Sequence, residues 1–433
     1  MSRQDRTLGR RASPWIKLAV LMTTALMVGC SSPGATATAG PTATATAVPS
    51  LQSSAPTAGP SVTASPTAWP TAAPTSSPTP APTPSETVSA PPTASPTVEP
   101  PSGIVELVAG GGDAEPGDGG PALAARLQRP GGIASGADGS IWIVDSNTAT
   151  VRVVGTDGLI RTATGSLYNP IGIDIGADGT VYVADSGNYR VVSLTDDGDV
   201  VVLAGNSLHP GFRGDGGRAR RAYLFQPYDV AVDDAGNVYI ADTGNNRVRL
   251  VDAPSGLIDT IAGDGTAAFG GDDGPATQAQ LQRPSAIALD SAGARLFIAD
   301  TRNTRIRTVD LATGTITTIA GGDILPTNYV EGLTALQTPM NRATAIAVDE
   351  AGNVYVVVFY NDLGAIVMRI SPTGEMTRVV GGGRSLAAGV APADFSLPDI
   401  TALEIDAGSG ALLMASADGR VYRVADVTAP AVE

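Results

Sequence analysis

From residue 103 onward the chain is written in short runs of apolar and β-branched residues, five or six long, separated by turns rich in Gly, Asp and Asn. Tyr228-Asp229-Val230-Ala231-Val232-Asp233, Asn237 to Ala241, Arg247-Val248-Arg249-Leu250-Val251 and Leu257-Ile258-Asp259-Thr260-Ile261-Ala262 follow one another with little between them. Their period and composition predict four successive short strands, here a, b, c and d. The unit then recurs. Ala137-Asp138-Gly139-Ser140-Ile141-Trp142-Ile143-Val144-Asp145 is matched by Ala177 to Asp185, by Asp234 to Asp242, by Ser291 to Asp300, by a copy opening at Glu350-Ala351-Gly352-Asn353, and by a weaker one at Ser409 to Met414. Self-similarity at this period signals stacked supersecondary units. Gly139, Gly179, Gly236, Gly293 and Gly352 share one offset, where a hairpin between strands a and b needs positive φ.

Strand a is expected near residues 132, 172, 229, 286, 345 and 401, and strand c near 151, 191, 248, 306, 367 and 421. Strand d follows the first five units, near 160, 200, 258, 316 and 377, but not the sixth. Ile104-Val105-Glu106-Leu107-Val108-Ala109-Gly110 has the strand d pattern of Thr315 to Gly321 and precedes the first strand a. An N-terminal outer strand completing the last blade closes a ring and removes the edges of an open array. The expectation is an all-β, six-bladed propeller with four-stranded blades, over residues 103–427, followed by a tail at 428–433. It is expected to be monomeric.

The segments Asp185-Ser186-Gly187-Asn188-Tyr189-Arg190-Val191, Asp242 to Val248 and Asp300 to Ile306 carry Asp-x-x-x-Asn-x-Arg-Val/Ile. In this the chain resembles NHL-repeat proteins, and the resemblance implies six-bladed propellers. Blade one departs at Thr148 and Thr150, blade five around Val358 to Gly364, and blade six is degenerate.

The first 102 residues are of another kind. Residues 1–29 hold five basic residues and one acid before an apolar run from Leu18 to Val28, the layout of a signal peptide. That run is too short to span a bilayer. Met27-Val28-Gly29-Cys30 resembles a bacterial lipoprotein signal, with Met27 departing from the usual leucine; this implies lipidation of Cys30 and an anchor of several acyl chains. Residues 30–102 are almost entirely Pro, Thr, Ala and Ser, with 17 of the chain's 33 prolines, a composition that buries no core and reads as a spacer. The expected location is the bacterial cell envelope, on the extracytoplasmic side of a membrane.

Composition then narrows the chemistry. A formal net charge of −15 argues against nucleic acid as partner. One cysteine and one histidine, His209, exclude multi-cysteine and multi-histidine metal centres. Nucleophile elbow, Walker loop and dinucleotide fingerprint are all missing, and no distinctive Glu, Asn and Asp set for a lactonase-like calcium site stands out. No catalytic residue is assigned.

The long d-to-a loops carry Gly117-Asp118-Gly119-Gly120-Pro121, Gly214-Asp215-Gly216-Gly217 and Gly271-Asp272-Asp273-Gly274-Pro275. Two readings compete. Asp118, Asp215, Asp272 and Asp273 could ligate calcium through oxygen, calcium being the one candidate cofactor; or Asp caps the helix-like stretch beginning at Pro121 or Pro275. The Asp at the end of strand b (Asp145, Asp185, Asp242, Asp300) reads as structural because it repeats. Residues that do not repeat say more about a site. Tyr168, Phe212, Arg213, Phe225, Tyr228 and Phe269, with Arg129, Arg283 and Arg342, fall on the loops leading into strand a, and aromatic and arginine side chains anchor recognition surfaces. The expected function is binding or scaffolding of an envelope protein, peptide or glycan on that face, the alternative being a calcium-type hydrolase or lyase at the central channel.

Overall fold

The computed structural model describes residues 103–195, 197–322, 328, 333–425 and 427. Cys30, the tether and the tail at 428–433 lie outside them. Six antiparallel sheets are formed, each with strands in the order a-b-c-d. In blade three these are Pro227–Val232, Val238–Asp242, Arg247–Val251 and Leu257–Ala262. Gly236 turns from a to b at φ 80°, and its counterparts in blades one, two, four and five also have positive φ, which confirms the reason for their recurrence. The six innermost strands lie side by side in sequence around the ring, and the last, Ile400–Ile405, returns to the first, Pro130–Ser135.

Closure is as expected. Val105–Gly110 pairs with Arg420–Val424, Val105 opposite Val424 and Gly110 opposite Arg420, so the last blade takes its outer strand from the other end of the domain. Blade five is regular despite its departure from the repeat: its b and c strands are longer, Val354–Tyr360 and Gly364–Ile370, and meet in a tight hairpin where blades two, three and four have a 3-10 turn.

Burial follows the ring. Six apolar clusters form, each between two neighbouring blades, and Ile143, Ile240 and Ile298 are completely buried at the same level in three of them. Each such side chain contributes about 1.5–3 kcal/mol. The long loops add to these clusters. Ala122, Ala125 and Leu127 enter the seam between blades six and one, Ala219, Ala222 and Leu224 that between two and three, and Ala276, Ala279 and Leu281 that between three and four. The helix-like stretches are single 3-10 turns at Ala122–Ala124, Ala219–Arg221 and Ala276–Gln278, which point the first alanine of each inward.

Candidate functional site

Because strands alternate in direction, the d-to-a loops and b-to-c turns emerge on one face and the a-to-b turns on the other. On the loop face, the aspartate ending strand b ties down the segment entering strand a. Asp145 accepts from the backbone N–H of Gln128 and Arg129, Asp185 from Tyr168, Asp242 from Phe225 and Asp300 from Gln282, at 2.7–2.9 Å. Asn188, Asn245 and Asn303 hold the second oxygen of the latter three. The repeated Asp and Asn are thus fixtures of the fold. Burial pushes Asp242 and Asp300 up to about 6 despite these donors and their arginines.

The glycine-rich loops do not cap as one of the two sequence readings expects. Asp118, Asp215 and Asp272 do not cap the 3-10 turns, whose N-caps are Pro121, Arg218 and Pro275 without a side-chain bond. Each aspartate instead meets a buried arginine of strand c and a threonine of strand d. Asp118 takes Arg152 at 2.7 Å and Thr162 at 3.1 Å, Asp215 takes Arg249 and Thr260, and Asp272 takes Arg307 at 2.6 Å and Thr318 at 2.7 Å. Arg249 and Arg307 are completely buried and Arg152 is 3% exposed, so the aspartates supply the counter-charge that burial demands. Asp273 is exposed, at φ 61°. Among the described residues no three Asp, Glu, His or Cys side chains are grouped to hold a metal ion, and these four are no exception. The loops also cover sheet edges: Gly217–Arg218 pairs with Leu257 and Ile258, and Gly274–Pro275 with Thr315 and Ile316, as fifth strands of blades three and four. Pro121 bridges to Leu159 in blade one.

The aromatic and arginine residues separate into two groups. Phe212 and Phe269, taken from sequence as non-repeating, are equivalent. Phe212 lies over Arg247 and Arg249, with 3.7 and 4.9 Å from guanidinium to ring centre, and Phe269 over Arg305 and Arg307 at 3.8 and 5.1 Å. They roof the buried arginines, yet remain 42% and 40% exposed. Arg213 approaches the Tyr223 ring, which also stacks on His209.

The second group surrounds the entry to strand a. Tyr168 is 64% exposed. Its ring covers Gly187, where a Cβ would collide with it, and the Phe225 ring covers Gly244 in the same way; in blades two and three glycine leaves room there for the aromatic ring. Phe225 also meets Tyr189, with 5.9 Å between ring centres. Arg283 adopts φ 52°, and its guanidinium reaches Gln226 at 3.4 Å. Arg129 and Arg342 are exposed at the mouth of the central channel and Tyr228 stands in its wall.

That channel encloses about 680 Å³ and is lined by strand a of every blade. It holds residues that sequence reasoning passed over: Asp174, Asp229 and Glu404. Asp174 accepts from Val232 N–H at 2.7 Å, Asp229 from Ile287 N–H at 2.9 Å, and Glu404 from the Ser135 hydroxyl at 2.9 Å, in each case from the next blade. Among the described residues no arginine forms an ion pair with them. Burial, with mutual repulsion through Asp174, pushes Asp229 up to about 7 and Glu404 to about 8, and burial alone pushes Asp174 to about 6. The signal was present, an acid between two aliphatic residues in strand a, as in Ile173-Asp174-Ile175 and Leu403-Glu404-Ile405.

Comparison with known proteins agrees with this architecture. The teneurin NHL domain model matches residues 97–172, and the NHL repeat model matches 167–194 and 226–249. Over 103 residues the chain is 35% identical to SUPPRESSOR OF QUENCHING 1 of Arabidopsis thaliana, covering 24% of this chain and 10% of that protein. Mouse teneurin-3 is 31% identical over 190 residues, covering 39% of this chain and 6% of its own length. The chain therefore spans only a small part of these relatives. An auxiliary nutrient binding protein from Bacteroides ovatus superposes with a TM-score of 0.57 at 13% identity, over 75% of this chain and 76% of that one, a likeness of fold.

Proposed function

We propose that this protein, an NHL-repeat six-bladed β-propeller, is a binding module of the bacterial cell envelope, held at a membrane by lipidated Cys30 and displayed on the spacer of residues 30–102. Its partner is an envelope protein, peptide or glycan, taken on the face where the long loops emerge. One observation carries this reading: Tyr168, Phe212 and Phe269, at 64%, 42% and 40% exposure, present aromatic surface on that face in blades two to four, beside Arg129 and Arg283. Rings half in solvent and braced from below lose little freedom on binding, which favours them as anchors. A Bacteroides ovatus protein that is named for auxiliary nutrient binding shares this fold.

The test is capture from solubilised envelope with the full chain, beside a Tyr168→Ala, Arg129→Ala, Arg283→Ala variant. A partner kept by the first and lost by the second supports the reading, and equal capture by both overturns the site. In cells, Cys30→Ser should move the protein from the membrane to the soluble fraction; retention on the membrane would overturn the anchor.

A further inference from the structure

We propose that the outer strand of blade two, Val200–Gly205, is a docking edge for a second copy of this chain, the two strands pairing antiparallel across a two-fold axis. In the other five blades a loop covers the outer side of the last strand or of the turn before it. Ile160, Ile258, Ile316 and Val105 each accept a backbone N–H from such a loop, and Gly374 does so just before the strand of blade five. Val200, opposite Leu194 of strand c, holds the same register position as those four. It receives no such bond among the described residues, because the connection into blade two is short, residues 165–172, and carries no Gly-Asp loop. The four counterparts are completely buried, whereas Val200 is half-buried and Val201 is 46% exposed.

An open edge is a template for another strand, and proteins blunt it with charge, proline or a cover. Val200-Val201-Val202-Leu203 has no charge and no proline. Blade one reaches the turn before the strand, its Ala163 carbonyl lying against Gly198, but no strand of blade one pairs along Val200–Gly205. Where blades one, three and four have the Arg and Thr that meet a loop aspartate, blade two has Val192 and Val202, so nothing in it is prepared to receive a loop.

The charges at the two ends of this edge say what fits it. Asp197 and Asp199 are exposed at its start. Toward its far end the 3-10 turn Ala219–Arg221 packs against it, Ala219 and Leu203 sharing one apolar cluster, and Arg218, Arg220 and Arg221 are exposed there. Among the described residues none of these five charges enters an ion pair. Antiparallel pairing about Val201 sets the acidic start of one strand beside the basic end of the other, twice. The edge is thus complementary to itself, as a contact between identical subunits must be. An extended peptide of uniform charge would satisfy one end and be repelled at the other. One strand pair buries far less than a permanent dimer needs, so the association is weak, and the monomer expected from sequence is its dilute state.

Sedimentation velocity of the full chain carrying Cys30→Ser, from about 1 to 500 µM, tests this without lipid or disulfide. The expected result is a monomer that converts to a dimer as concentration rises, with no larger species, since a two-fold contact closes on itself. Raising salt from about 50 to 500 mM should weaken the dimer about tenfold. Asp197→Lys with Asp199→Lys, and Arg218→Glu with Arg220→Glu and Arg221→Glu, each set like charge against like, so either variant alone should stay monomeric. Mixed in equal amounts they should dimerise again, a rescue that an unfolded variant could not give. The edge shares no residue with Tyr168, Arg129 and Arg283, so self-association and envelope capture can fail separately. A monomer at every concentration, species larger than a dimer, undiminished association of either charge variant alone, or a mixture that stays monomeric while both variants melt as the parent does would each overturn the proposal.

Discussion

The propeller keeps its acids in two regions, and they differ in one respect. On the outer belt of blades one, three and four, Asp118, Asp215 and Asp272 each face a buried arginine and a threonine. In the channel, Asp174, Asp229 and Glu404 face backbone N–H groups and, for Glu404, the Ser135 hydroxyl, with no cation. The belt repeats as a set: where the loop has its aspartate, strand c has Arg and strand d has Thr. In blade two, the residues in register with that Arg and Thr are Val192 and Val202. The channel acids have no such companions. Paired acids therefore belong to the architecture, while unpaired ones burden it.

Breaking the belt should have the largest effect. Arg249→Leu removes the partner of both Asp242 and Asp215, leaving Asp242 charged and fully buried, and should cost about 3–5 kcal/mol in denaturant unfolding. A loss below about 1 kcal/mol would mean that the belt is not the structural half of the comparison.

The channel should respond with opposite sign. Its carboxyls have raised pKa values in the folded state, so the stability they confer is full below about pH 4 and is lost as pH rises through about 6 to 8. At pH 8, Glu404→Gln should stabilise by on the order of 1 kcal/mol, and at pH 4 it should change nothing. Asp174→Asn, Asp229→Asn and Glu404→Gln together should flatten most of the decline in melting temperature between pH 5 and 8. Asp242 and Asp300, also raised to about 6, would leave a residual slope of the same sign. An unchanged profile would remove the distinction between the two regions.

The smallest effects sharpen it. Thr260→Val removes one hydroxyl donor from Asp215 and should cost about 0.5–1 kcal/mol. Tyr168→Ala should alter stability by no more than about 0.5 kcal/mol while weakening envelope capture, since its ring is 64% exposed.

Much of this was legible in advance, and unevenly. The in-phase recurrence of Gly139, Gly179, Gly236, Gly293 and Gly352 and the missing sixth strand d were enough for blade number, strand order and closure. Those features are local or depend on counting. The reading of Phe212 and Phe269 as unique failed because their loops align poorly outside the Gly-Asp core, whereas in space both rings lie over equivalent arginine pairs. Asp229 was written into strand a and passed over, since alternation alone does not say which face of an innermost strand lines a channel.

The sequence by itself determined the ring: period-two alternation and positive-φ glycines act between neighbours in the chain, and six repeats with one displaced strand can close in one way. Which acids are neutralised was decided only by the tertiary structure. Asp118 and Arg152 stand 34 residues apart, and Asp174 and Glu404 come from blades two and six. Whether a carboxylate meets a guanidinium or another carboxylate depends on what the closed ring brings alongside it, and electrostatic cost follows that distance and the surrounding burial.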